Sequence, residues 1–154
     1  MNVPTSLYLE IISNVPIACV DIAIVYHGKI LLVKRDDKPA KNQWWLPGGR
    51  IYKGEMMKDA AKRKALEEVG IECRVGPIIH TAETIFPDGP HNVSVHSINS
   101  CFILYPVNIP VIKLDIHHKE FVWINSIPNN SHPYIVNCLE KAGFEMSYTH
   151  VNFL

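Results

Sequence analysis

The chain has 154 residues, a size that fits one domain, with 47% hydrophobic and 19% charged residues, enough apolar material for a buried core. Fifteen basic residues balance fifteen acidic ones. A formal net charge of zero leaves no general field for holding nucleic acid or an anionic membrane, so an anionic ligand must be held by local groups.

Cys19, Cys73, Cys101 and Cys138 are widely spaced and form no CxxC pair, which excludes zinc-finger spacing. Four reduced, mostly buried thiols of a cytoplasmic protein are expected. No basic segment followed by an apolar run opens the chain, so a secretory leader is not expected, and no apolar stretch approaches a membrane span.

In chain order, residues 5–13 suit a short amphipathic helix. Ile17–Tyr26 and Ile30–Lys34 are apolar runs around His27-Gly28-Lys29 and predict a β-hairpin. Asp36–Gln43 is a polar loop, and Trp44-Trp45-Leu46 a brief strand ended by Pro47-Gly48-Gly49. Met57–Val69 is the strongest helix, with charges at helical spacing and Gly70 as its stop. Ile71–Ala82 and Val93–Val107 are β-rich, separated by a loop at Pro87–His91, and Glu120–Ile124 is another strand. Ser131–Ala142 predicts a closing helix, with Ser131 near the cap, Pro133 in the first turn and Gly143 past the end. Strands flanked by helices in mixed order predict an α/β (α+β) fold with helices packed on a mixed sheet.

The chemistry concentrates in Gly49–Ile71, GRIYKGEMMKDAAKRKALEEVGI. Glu67 and Glu68 are adjacent near the end of the helix, and successive side chains diverge by about 100°. One can face a metal while the other helps hold it or pairs with Arg63, four residues earlier. Glu55 precedes the helix and can fold back on the cluster. Clustered carboxylates repel unless a cation joins them, and their hard oxygens suit Mg²⁺ or Mn²⁺. Gly48-Gly49 lets backbone approach a ligand closely. A solvated helix with ordinary ion pairs is the plainer reading of such charges.

Gly49, Glu55, Arg63, Ala65, Glu67, Glu68, Gly70 and Ile71 nevertheless all fall in the register of the Nudix box, and the segment resembles it along its whole length. One fixed position departs, since Lys64 stands where the pattern has Glu. The resemblance implies a single Nudix domain over residues 1–154, with the box at 49–71. It implies an α/β/α sandwich with a mixed β-sheet and a loop–helix–loop metal site. It also implies a metal set of Gly49, Glu55, Glu67 and Glu68, with Arg63 orienting a glutamate or meeting phosphate. Lys64 removes one acidic ligand, so one Mg²⁺ is expected rather than several, with Mn²⁺ as an alternative.

The stretch Leu31–Ile51 further resembles GDP-mannose mannosyl hydrolases, through Lys34-Arg35 and Trp44-Trp45-Leu46-Pro47-Gly48-Gly49, with Asp21 matching in the first strand and a weaker likeness from about Ser6 to Gly143. That subfamily also lacks the Glu that Lys64 replaces. It attacks the sugar's anomeric carbon, using a late-loop histidine five residues before a Trp. His118 stands five before Trp123 and takes the general-base role by position, with Glu120 as the rival base. The resemblance makes His118, Arg35 and Arg63 the catalytic candidates, and Asp21, Arg35 and Arg50 the substrate contacts. His117 fills the place of a metal-ligating Gln and is read as ligand, substrate contact or plain loop residue. Asp21, inside an apolar strand, needs a partner, either Arg35 across the hairpin or a sugar hydroxyl. Thr84 and His96 fall near subfamily ligand contacts. Trp44, Trp45 and Trp123 are expected as core or rim aromatics before any stacking role. No Tyr occurs near Ser97, so a guanine preference is not secured.

The expected partner is a small nucleoside-diphosphate compound, with GDP-mannose and GDP-glucose as candidates. Neither nucleic acid nor membrane is expected, and a homodimer is left open. The expectation is hydrolysis of a nucleoside-diphosphate sugar to sugar and nucleoside diphosphate. A conventional pyrophosphohydrolase and a non-catalytic nucleotide-binding domain are the alternatives.

Overall fold

The computed structural model describes residues 3–147. In chain order it contains α1 (Thr5–Asn14), β1 (Ile17–Tyr26), β2 (Lys29–Arg35), β3 (Trp44–Trp45), β4 (Gly48–Arg50), α2 (Met57–Val69), β5 (Cys73–Phe86), β6 (Val95–Pro106), β7 (His118–Ile124) and α3 (Pro133–Lys141). A single 3-10 turn, Pro90–Asn92, joins β5 to β6.

β1 is the spine of a mixed seven-stranded sheet. It runs parallel to β6 from Ile17↔Ser97 to Ile24↔Leu104 and carries β4 antiparallel on its other edge. Its far end turns through the hairpin into β2, which pairs with β3 and β7. β5 closes the opposite edge against β6.

The period of two along each strand divides the core into two layers. Val20, Ile22 and Ile24 of β1, with Leu31 and Val33 of β2, pack against Ala60, Ala61, Ala65 and Val69 of α2. Ala23, Ile30 and Leu32 face the other way, onto Tyr134, Ile135, Cys138 and Leu139 of α3. The sheet therefore lies between two helices, the expected α/β/α sandwich. Alanines on the inner stripe of α2 let that helix sit close to the strands, which keeps its acidic last turn near the sheet.

α2 has the bounds its charge spacing predicts, and Gly70 adopts the left-handed conformation and caps the helix. Four differences have physical causes. β4 was not expected, because Gly48–Arg50 has no strand propensity and is held by pairing with β1. β5 continues to Phe86 because β6 stays paired with it from His80↔Cys101 to Phe86↔Val95. The cap of α3 is His132 rather than Ser131: Pro133 opens the first turn, and the His132 ring accepts the Tyr134 N–H at 3.1 Å. Finally, His118 is the first residue of β7, paired with Arg35, and not a loop residue.

Candidate active site

Odd-numbered residues of β1 point to the α3 side, and beyond the end of that helix they are not covered. Ile17, Cys19 and Asp21 there floor a cavity of about 330 Å³, a size suited to a small ligand. Thr84 of β5 and Ser97 and Asn99 of β6 continue the floor by the same parity. They are buried and bonded to one another: Thr84 Oγ1 lies 2.9 Å from Ser97 Oγ and accepts from Asn99 Nδ2 at 3.1 Å. His96 has the opposite parity, pairs with Glu83 on the outer face, and is not brought to the cavity.

Asp21 is 7% exposed and accepts a 2.7 Å hydrogen bond from the Tyr134 hydroxyl. This corrects the expected Arg35 partner, since Arg35 Nε donates instead to the Pro39 carbonyl at 2.7 Å. Burial pushes the Asp21 carboxyl up to about 7, opposed by its Tyr134 hydrogen bond. The folded chain thus holds a proton that the unfolded chain releases from about pH 4 upward. Stability falls as pH rises from there to about 7 and is level above, because the folded state binds more protons in that window. Asp21→Asn cannot ionise and can still accept from Tyr134. Its melting temperature relative to the native chain should be higher at pH 8 than at pH 5, as measured by calorimetry; an equal difference at both values would contradict this ionisation.

Cys19, on the same floor, is no thiolate nucleophile, because burial pushes it up to about 12. As expected, all four cysteines are free thiols, three of them buried.

One rim of the cavity is built by the box. Gly48 comes so close to β1 that a Cβ there would lie 2.3 Å from the Val20 carbonyl oxygen. This close approach lets the Gly48 N–H donate to Glu68 Oε2 at 2.9 Å. Glu68 is 5% exposed, and its other oxygen lies 2.8 Å from Lys64 Nζ. Glu67, half-exposed, takes Arg63 at 3.1 Å and Lys64 at 3.5 Å. Arg63 holds Glu55 through Nε at 2.6 Å and Nη2 at 2.9 Å, and Nη2 also reaches the Arg50 carbonyl. The Arg63 guanidinium stacks 3.9 Å over the Tyr52 ring, and together these bonds hold Glu55 at about 2, below the usual carboxylate range.

The segment after β6 supplies the opposite rim by docking on the end of α2. Lys113 N donates to the Val69 carbonyl and Asp115 N to the Glu68 carbonyl, filling acceptors that a helix end leaves open. Asp115 is thereby fixed 2.7 Å from His118 Nδ1, and His118 Nε2 stands 3.8 Å from Glu68 Oε2. An ionised carboxylate only accepts, so Nδ1 donates to Asp115, which fixes the ring with Nε2 turned toward Glu68. The His118 side chain is 2% exposed yet lines the cavity. His117 is exposed at the rim and its ring meets Asp37.

The structure therefore brings Asp21, Arg35, Gly49, Arg50, Glu68, His117 and His118 to one cavity. It leaves Glu55, Arg63 and Glu67 behind that wall, where Arg63 joins the other two. Glu120 lies outside, 59% exposed and 3.7 Å from Lys34. Trp45 joins core and cavity, stacking on Tyr134, while Trp44 lies under Lys34 and Trp123 packs against the α2-side core. The residue-by-residue reading missed Asp115, Tyr134 and Tyr8. Arg50 stacks 4.3 Å over Tyr8, which brings α1 into the cavity wall.

Among the described residues, no three His, Cys, Asp or Glu side chains converge into a ready metal cage. The carboxylates of Glu55, Glu67 and Glu68 are hard oxygen donors of the kind that suit a divalent ion, set against the positive charges of Arg63 and Lys64.

Residues 16–125 match the family model described as NUDIX domain. The chain is 30% identical over 143 residues to the low-salt glycan biosynthesis protein Agl8 of Haloferax volcanii, covering 90% of each chain. It is 30% identical over 115 residues to the ADP-ribose pyrophosphatase of Methanocaldococcus jannaschii, covering 73% of this chain and 65% of that protein. In fold it is similar to a MutT NUDIX hydrolase from Burkholderia pseudomallei, with a TM-score of 0.70 at 24% identity over 83% of this chain and 98% of that one. A domain match across most of the chain, with its box on the rim of a ligand-sized cavity, makes this protein a member of the Nudix hydrolase family.

Proposed function

We propose that this Nudix hydrolase cleaves a nucleoside-diphosphate sugar by adding water to the sugar's anomeric carbon, releasing free sugar and nucleoside diphosphate. One observation carries the reading: His118 is buried at the cavity wall, with Asp115 orienting one ring nitrogen and the other turned toward Glu68. A histidine whose far nitrogen is fixed by a carboxylate is built to take a proton. The similarity to a protein named for glycan biosynthesis supports a sugar-bearing substrate.

In this mechanism His118 Nε2 accepts a proton from water as the water oxygen bonds to the anomeric carbon. The bond from that carbon to the diphosphate oxygen breaks, and the leaving oxygen keeps the electron pair. Arg35 and Arg50, both on the cavity, face the departing charge. Gly49, Glu55, Glu67 and Glu68, with His117, are the groups that would hold Mg²⁺ or Mn²⁺, which supplies charge neutralisation at the diphosphate when bound. Asp21, pushed up to about 7 by burial, and the Thr84–Ser97–Asn99 group offer hydrogen-bonding partners to sugar hydroxyls or a base. GDP-mannose and GDP-glucose are the first substrates to try.

A second reading, attack at phosphorus by a conventional pyrophosphohydrolase, is favoured by the retention of Glu55, Glu67 and Glu68 and by the similarity to an ADP-ribose pyrophosphatase. Assay of nucleotide sugars, ADP-ribose and nucleoside triphosphates with Mg²⁺ and with Mn²⁺ separates the two by product. Free hexose with nucleoside diphosphate is expected. Sugar 1-phosphate with nucleoside monophosphate establishes the second reading, and nucleotide binding with no product on any substrate points to a binding domain.

A further inference from the structure

Lys64 occupies the gap between the two adjacent box glutamates. Its Nζ lies 2.8 Å from Glu68 Oε1 and 3.5 Å from Glu67 Oε2. The side chain is only 16% exposed, so these carboxylates, rather than water, answer most of its charge. Glycine makes the room: a Cβ on Gly49 would stand 2.8 Å from Lys64 Cε and 3.1 Å from Nζ. The ammonium thus lies against the bare backbone at Gly49, beside the carboxylates read above as metal donors. A divalent ion and an ammonium both satisfy carboxylate oxygens, and they repel strongly if brought to the same ones.

We propose that the Lys64 ammonium is a tethered cation that holds one divalent-ion position of the box, so that any metal must displace it from Glu67 and Glu68. Tethering on the same helix gives the ammonium a high effective concentration that free ions must overcome. Glu68 meets Lys64 through one oxygen and the Gly48 N–H through the other, so lysine and rim backbone share the same carboxylate. In this chain, then, lysine occupies the place an ion would take between Glu67 and Glu68, and divalent affinity is lowered in exchange.

The test is Mn²⁺ binding without nucleotide, read from the electron paramagnetic resonance signal of free Mn²⁺. It therefore passes or fails independently of the sugar-hydrolysis reading. Lys64→Met should bind Mn²⁺ roughly ten- to a hundredfold more tightly than the native chain, since one close positive charge is gone. Lys64→Glu should bind at least one further ion. Lys64→Arg keeps the charge and should stay within about threefold of native. If Lys64→Met does not fold, as judged by circular dichroism, Lys64→Gln makes the same comparison. Unchanged or weaker Mn²⁺ binding in the uncharged variants overturns the proposal, as does equal tightening in Lys64→Arg.

Discussion

His118→Gln is expected to lower turnover about 10²–10⁴-fold, the usual scale for losing a general base, with little change in KM. Glutamine's amide can still donate to Asp115, so the anchor between β7 and the end of α2 is retained. What disappears is a nitrogen able to take a proton at the Glu68 end of the cavity. The rival Glu120 is disfavoured by position, because it sits outside the cavity beside Lys34. Glu120→Gln should therefore keep turnover within about threefold of native, as expected for an exposed pair of small energetic weight. Near-normal turnover in His118→Gln, measured by product release under saturating substrate, would pass the role to another group.

Arg63→Ala is expected to carry the largest structural cost. The guanidinium ties Glu55, Glu67 and the Arg50 carbonyl together and stacks on Tyr52. Removing it leaves the Glu55 carboxylate, 15% exposed, without its cation. Breaking a fully buried pair costs about 3–5 kcal/mol, and partial exposure here reduces that to about 2–3 kcal/mol. For a chain of this length the melting temperature should fall by roughly 4–12 °C. The pH dependence gives a second readout. Glu55 is held at about 2 in the folded chain, so its contribution is fully present above its ordinary range near pH 4.5 and fades as pH falls toward 2. Arg63→Ala should lose most of this acid-side dependence. Lysine should not restore the site, since it cannot reproduce the forked contact with Glu55. A melting temperature within a degree of native would show that the network carries little.

Much of the fold was legible because local signals agreed with long-range packing. The bounds of α2 followed from helical charge spacing and Gly70, and the apolar runs around His27-Gly28-Lys29 gave the β1–β2 hairpin. The box register located Gly49 and Glu68 on what became the cavity rim. β4 was not legible, because two glycines become strand only by pairing with Val20 and Asp21. The partner of Asp21 was not legible either, since Tyr134 lies 113 residues away and meets it only across the folded sheet. Asp115 gave no signal as an anchor, because its position depends on backbone bonds to the last turn of α2. Lys64 stood out in the sequence as a lost carboxylate. Its place between Glu67 and Glu68 depends on the bare backbone at Gly49.

The atom that water attacks decides between the two chemistries. A nucleoside-diphosphate sugar should be hydrolysed in ¹⁸O-water and the products weighed by mass spectrometry. The label is predicted on the released sugar, with the nucleoside diphosphate unlabelled. Label on a phosphate oxygen of either product would contradict attack at carbon and leave His118 without its assigned task.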